Sequence, residues 1–151
     1  MSTETVPAAG PRVRTARGLR VATAVLALLG TGIAGYLTWI HYAGLEPVCL
    51  GGHGGCERVQ SSPWSQLAGI PVSVLGLAGY VSILASLALP EDPGRTAAAL
   101  LSLVGAGFSA WLTYVEIAKI EAICQWCVAS AVLMTTLAVL TTWRLARAEL
   151  D

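Results

Sequence analysis

Four stretches of the chain, 21–40, 70–90, 96–115 and 122–143, contain no Asp, Glu, Lys or Arg. A hydrocarbon core about 30 Å thick takes roughly 20 helical residues at about 1.5 Å each, so every one of these runs is long enough to cross a bilayer. The pattern predicts an all-α membrane protein, a four-transmembrane-helix bundle with one long loop between helices 1 and 2. That loop covers 41–69. The connection over 116–121 is short, and so is the one over 91–95, where Pro90 and Pro93 are expected to break the helices. There is no internal repeat. The reading is one transmembrane domain over 21–143, preceded by a disordered tail over 1–20 and followed by a short tail over 144–151.

Composition strengthens this. With 55% hydrophobic and 12% charged residues, the chain is too apolar for an ordinary soluble domain. The net charge is zero, and no basic patch outside the membrane flanks points to nucleic acid. The distribution of charge is more informative. Arg12, Arg14, Arg17, Arg20, Arg95, Arg144 and Arg147 fall at one end of the predicted bundle, and only Arg58 and Lys119 at the other. Basic residues in short loops stay on the cytoplasmic side, so both termini are expected inside and the segments 41–69 and 116–121 outside. A cleaved signal peptide would carry an apolar region of roughly 7 to 15 residues before a small-x-small site. The first run is longer and ends in Trp39, Ile40, His41 and Tyr42, as an interfacial anchor does.

All four cysteines then lie on the side where disulfides persist. Cys124 and Cys127 form a C-x-x-C at the outer end of the fourth helix. That spacing puts both sulfurs on one face about one turn apart. Cys124 is expected in the first helical turn, where unpaired N–H groups and the helix dipole favour a thiolate. Cys49 and Cys56 flank a segment with four glycines and little conformational preference of its own. Such a loop can present one thiol to a soluble protein and the other to the C-x-x-C through a mixed disulfide. Protein thiols live in water and quinones in lipid, and two pairs placed this way would connect them.

The ordered set Cys49-x6-Cys56, Ser61-Ser62-Pro63-Trp64, Gly69-Ile70-Pro71 with Gly76 and Tyr80, and Cys124-x-x-Cys127 resembles the vitamin K epoxide reductase family in its bacterial form, over roughly residues 21–143. The resemblance implies a four-helix bundle around a quinone, menaquinone or ubiquinone, in a bacterial plasma membrane. It also implies a DsbB-like role, in which a separate thioredoxin-like partner of the DsbA type is reoxidised. Carried over by position, Cys127 meets the quinone and Cys124 exchanges with the loop. Cys56 bridges to Cys124, and Cys49 takes electrons from the soluble partner. Ser62 is implied beside the quinone ring, where its hydroxyl donates to a carbonyl oxygen, and Trp64 is implied beside that serine, supporting the loop at the membrane surface. Animal members carry a quinone-binding tyrosine four residues after the second C-x-x-C cysteine. This chain has Ala131 there, which argues against epoxide reduction but not against quinone reduction.

Plainer readings compete with each assignment. Cys49 and Cys56 could form a permanent staple. Ser62 could cap the helix that Pro63 begins. Trp64 and Trp126 could be interfacial anchors, and His41 and His53 solvated residues without a role in proton transfer. Gly30, Gly35, Gly105 and Gly107 are expected to permit close helix packing. The rival function is a membrane-bound Cys/His metal-binding protein, with the four cysteines and His53 as soft ligands for zinc or copper. The wide loop spacing and the helix-end position of the C-x-x-C suit thiol exchange better than tetrahedral closure.

Overall fold

The computed structural model describes residues 10–51 and 54–150. Four helices pack in a ring: α1 (Pro11–Ala43), α3 (Val72–Ser86), α4 (Glu91–Val115) and α5 (Gln125–Leu150), each against two neighbours. A short helix, α2 (Gly55–Gln60), lies in the connection from α1 to α3. The same connection carries a 3₁₀ turn (Pro63–Ser65) and a two-stranded ribbon of β1 (Gln66–Leu67) and β2 (Ile70–Pro71). Leu67 pairs antiparallel with Ile70. Between them Ala68 and Gly69 both take positive φ, at 53° and 82°, as a two-residue hairpin turn requires.

Three of these helices are long and apolar enough to cross a membrane: α1, α4 with its continuation to Ile120, and α5. The protein is an all-helical, multi-pass membrane protein. Large apolar side chains such as Val25, Leu28, Leu100, Val104, Val132 and Val139 point outward and exposed, an arrangement suited to lipid and costly in water. Inside the ring, Thr23, Ala27, Gly30, Ala34, Leu37 and Ile40 form the buried face of α1. Four of these six are small residues, which let helix backbones approach closely where no water drives association. Ser102 and Thr141 hydroxyls meet at 2.6 Å across α4 and α5, so neither is left unpaired.

The boundaries depart from the sequence-based expectation in four places. α3 has 15 residues, about 22 Å at 1.5 Å per residue, and so falls short of the span expected over 70–90. Pro71 sits at its N-terminal boundary, and Pro90 disfavours helix at the preceding residue, which leaves 87–90 as a turn. α1 begins at Pro11, so residues 11–20 are helical and not disordered, while 1–9 lie outside the described residues. Extending an existing helix is far easier than nucleating one, and Pro at the first position is preset for it. α4 starts at Glu91, not after Arg95. Pro93 falls in the first turn, where its missing N–H has no helical partner to lose. α5 runs on to Leu150, with no separate tail over 144–150.

Gly44 ends α1 in the left-handed conformation, its N–H donating to the His41 carbonyl and that of Leu45 to Ile40. Gly30 lies against the Tyr80 ring, where a Cβ would fall 2.1 Å from a ring carbon. Tyr80 is fully buried and tied through its hydroxyl to Ser130 at 2.8 Å, so it cannot easily yield. Gly30→Ala is therefore expected to destabilise the bundle by about 1–3 kcal/mol. Gly107, with nothing within 4 Å, should accept alanine with no measurable loss. Unfolding in mixed micelles, read by tryptophan fluorescence, checks the pair. Gly35 meets only an ordinary contact at 4.0 Å, so of the four glycines expected to permit close packing, Gly30 and Gly105 do so.

Candidate functional site

The antiparallel ring brings the end of α1, the start of α3, the end of α4 and the start of α5 to one end, and both cysteine pairs lie there. The arginines Arg12, Arg17, Arg20, Arg95, Arg144 and Arg147 line a cleft at the other end. Cys49 and Cys56 are joined as a disulfide, while Cys124 and Cys127 are free thiols. Cys56, Val59 and Cys124 form one buried cluster, with Cys49 and Cys127 packed at its margin. Cys56 and Cys124 are each fully buried. Close approach here depends on Gly55, where a Cβ would lie 2.5 Å from the Ile123 carbonyl oxygen.

The two residues between Cys124 and Cys127 hold the loop. Trp126 Nε1 donates to the Val48 carbonyl at 2.8 Å, and Gln125 Oε1 accepts the Leu50 N–H at 3.2 Å. Val48 N–H in turn donates to the Tyr36 hydroxyl at 3.1 Å, and the Tyr36 and Trp126 rings stand 5.1 Å apart. The glycine-rich segment therefore has a docked arm next to Cys49, although its own sequence favours no conformation. Gly52 and His53 lie outside the described residues.

Cys124 does not occupy the first turn of α5, as expected, but the position just before it. Its carbonyl accepts the first helical bond, from Val128 N–H at 3.0 Å. The thiol is held down to about 7, foremost by a hydrogen bond from Cys127 and then by the backbone N–H groups of Cys127 and Trp126, with burial opposing. Here the helix end does what the sequence argument asked of it, from the capping position. Cys127 also accepts a hydrogen bond from Gln60 Nε2 at 3.7 Å.

Glu116 completes the cluster. α4 passes at Val115 into a π-helical turn, Glu116–Ile120, which closes at Glu121 in the left-handed region with φ 55°. Wide turns of this kind recur at functional positions. Glu116 is buried, and its Oε2 accepts the Cys124 N–H at 3.2 Å.

Below the cysteines a cavity of about 390 Å³ opens between α1, α3, α4 and α5. This lies within the roughly 300–1,000 Å³ range of small-molecule sites. Cys127, Glu116, Ser62, Trp64, Ser73 and Ala131 are among its lining residues, whereas Cys49, Cys56 and Cys124 are not. Ser62 donates its hydroxyl to the Val59 carbonyl at 2.7 Å and makes no side-chain cap to the turn that Pro63 begins. Ser73 Oγ is buried and, among the described residues, has no hydrogen-bond partner. An unpaired buried hydroxyl is costly, and one lining a cavity marks where a ligand oxygen would be accommodated.

Of the residues that sequence reasoning named, Cys127, Ser62 and Trp64 line the cavity, while Cys49, Cys56 and Cys124 pack together beside Cys127 and outside that lining. The same reasoning missed Glu116, Ser73, Gln125 and Gln60. A signal existed for Glu116, an acid at the very end of an apolar run, where ionisable groups are rarely incidental. Ser73 and Gln60 carry no such mark. Among the described residues no group of three or more His, Cys, Asp or Glu is placed to hold a metal, and the disulfide occupies two of the four cysteines that the metal reading required. His41 stacks edge-on against Tyr42 at 5.4 Å and is not among the cavity residues. Residues 21–142 match the model of the vitamin K epoxide reductase family, most of the chain and all four cysteines included. With its membrane helices, a loop disulfide and a C-x-x-C packed against it, the chain belongs to the vitamin K epoxide reductase family, as a redox protein that carries paired cysteines.

Proposed function

We propose that the protein is a thiol–quinone oxidoreductase that reoxidises a separate thioredoxin-like partner of the DsbA type and so supports disulfide formation in exported proteins. The observation that carries this is the sequence of environments: a partly exposed Cys49, a buried Cys56 packed with Cys124, and Cys127 on an apolar cavity within the bundle. All four cysteines belong to the catalytic relay. The partner's dithiol reduces the Cys49–Cys56 disulfide by attack at Cys49. Cys56 then attacks Cys124 of an oxidised C-x-x-C, forms the Cys56–Cys124 bond and releases Cys127. Cys49 attacks Cys56, restores the loop disulfide and expels Cys124, whose acidic thiol makes it a good leaving group. The pairing in the structure, loop oxidised and C-x-x-C reduced, is the product of that step.

A bound quinone supplies a two-electron, two-proton acceptor. Cys127 lines the cavity that would hold it, Ser73 has a free hydroxyl for a carbonyl oxygen, and Trp64 and Ser62 border the same space. Ser62, already donating to Val59, is suited to shape the mouth, and Ser73 to donate. Ala131, also on the wall, offers no hydroxyl, in keeping with plain quinone reduction and not epoxide reduction. We read the chain as a four-span domain over 21–143 in a bacterial plasma membrane. The ribbon at 66–71 and the turn at 87–90 complete the crossing of α3, the arginine-rich end and both termini are cytoplasmic, and the cysteines face outward. A DsbA-type partner sits near −120 mV, so net oxidation needs an acceptor above that, which a quinone pool kept oxidised by respiration provides.

Purified protein given a reduced thioredoxin-fold dithiol and either ubiquinone or menaquinone should form quinol in step with partner disulfide. No quinol with either would overturn the reading. Ser73→Ala should raise the KM for quinone about three- to tenfold, the size of one hydrogen bond, and leave reduction of the loop disulfide by the partner unchanged.

A further inference from the structure

A thiol that gives its electrons to a neutral acceptor must also lose its proton, and inside an apolar cavity few groups can take it. Among the described residues lining this cavity, Glu116 is the only carboxylate, and no histidine, lysine, arginine or aspartate accompanies it. Gln60 donates to the Cys127 sulfur and Ser62 to Val59, so neither is placed to receive a proton there. Glu116 shares the cavity wall with Cys127, is buried, and is joined by no salt bridge among the described residues. Its Oε2 accepts the Cys124 N–H at 3.2 Å, which ties the carboxylate to the C-x-x-C end of α5. The π turn that begins at Glu116 is a local departure from regular helix at that residue. An ionisable side chain at the end of a membrane helix is costly and ordinarily functional.

Resting on the thiol–quinone reading above, we infer that Glu116 is the proton-transfer residue of the quinone step, its carboxylate taking the proton of Cys127 and passing it to an oxygen of the acceptor in the cavity. The balance is simple. Two S–H bonds are lost and one Cys124–Cys127 bond forms, two electrons pass to the acceptor, and the acceptor leaves as quinol. One proton travels from Cys127 through Glu116. The other, lost from Cys124 to the medium, is returned from the medium. Glu116 ends each turnover as the carboxylate it began. A purely structural Glu116 would only hold the Cys124 N–H, which an amide oxygen does equally well.

The test separates two half-reactions in the full-length protein. In single turnover, pre-reduced Glu116→Gln should reduce ubiquinone or menaquinone about a hundredfold more slowly than the wild type, the usual scale of a lost proton-transfer group. Reduction of its Cys49–Cys56 disulfide by a reduced thioredoxin-fold protein should proceed at the wild-type rate. Glu116→Asp, which restores a carboxylate one methylene shorter, should recover at least tenfold of that loss. Wild-type quinone reduction in Glu116→Gln overturns the assignment, and so does a slowing shared equally by both half-reactions or left unrelieved by aspartate. If the glutamine variant does not accumulate in membranes, the aspartate variant decides alone, by a slowing confined to the quinone step. A wild-type protein that forms no quinol at all refutes the underlying reading instead, and this assignment with it.

Discussion

Replacing Cys127 with alanine is expected to reduce quinol formation by about a thousandfold or more, while the partner still reduces the loop disulfide once. The reason is positional. Cys127 is the one cysteine on the cavity wall, and Cys124, though three residues away, is buried on the loop side of the same helix end. Without Cys127 the C-x-x-C cannot close a disulfide, and Cys124 has no route to an acceptor in the cavity. Cys124 also loses the hydrogen bond that contributes most to its acidity, so its thiol should titrate above about 7, toward the ordinary thiol range. Stopped-flow absorbance of the quinone gives the rate, and mass spectrometry of alkylated peptides gives the loop state. Cys127→Ser, nearly the same size, should be equally inactive, which separates loss of the sulfur from loss of packing. A residual rate above a few per cent of wild type would show that another group meets the acceptor.

How far the sequence could be read follows from what each feature depends on. The membrane helices were legible because lipid imposes a length and forbids charge, and both are visible as runs. The cysteine pairs were legible because their chemistry is tied to residue type and short spacing. Boundaries were harder. Helix extends into the arginine-rich 11–20 segment because propagation from a neighbouring span overrides a polar composition. The helix of α3 stops at 15 residues because prolines at 71 and 90 set limits that hydropathy does not register. Glycine carries no preference and so predicts a free loop, yet its docking depends on Trp126, Gln125 and Tyr36, residues distant in the chain. Ser73 is one serine among several in an apolar stretch. Only the packed structure shows that its hydroxyl lacks a partner and borders a cavity.

The loop cysteines are expected to divide their roles sharply. In Cys49→Ala, Cys56 can still attack Cys124, but nothing remains to expel Cys124 from the resulting bond except reversal by Cys127. Adding Cys127→Ala closes that exit, so the double variant, treated with a diffusible thiol oxidant that takes up the two electrons, should collect a Cys56–Cys124 disulfide as its main oxidised form. The geometry favours this pair above the others. Cys56 and Cys124 are both fully buried in one cluster, and Gly55 allows the backbone of α2 to meet Ile123 with no side chain between. In Cys56→Ala the bridge to the C-x-x-C is missing, and Cys49, partly exposed at the margin, should instead attack the disulfide of an oxidised thioredoxin-fold partner, release one of its thiols and hold it as a mixed disulfide. Turnover should fall at least about a hundredfold in either single variant, since each removes one of the two sulfurs that exchange in succession. Non-reducing gels followed by peptide mapping distinguish the trapped species. A Cys49–Cys124 bond in Cys56→Ala, formed as readily as Cys56–Cys124 in the double variant, would mean that the loop swings freely and that burial of Cys56 against Cys124 does not set the order of exchange. A permanent staple predicts a third pattern, in which neither variant traps anything and turnover is untouched.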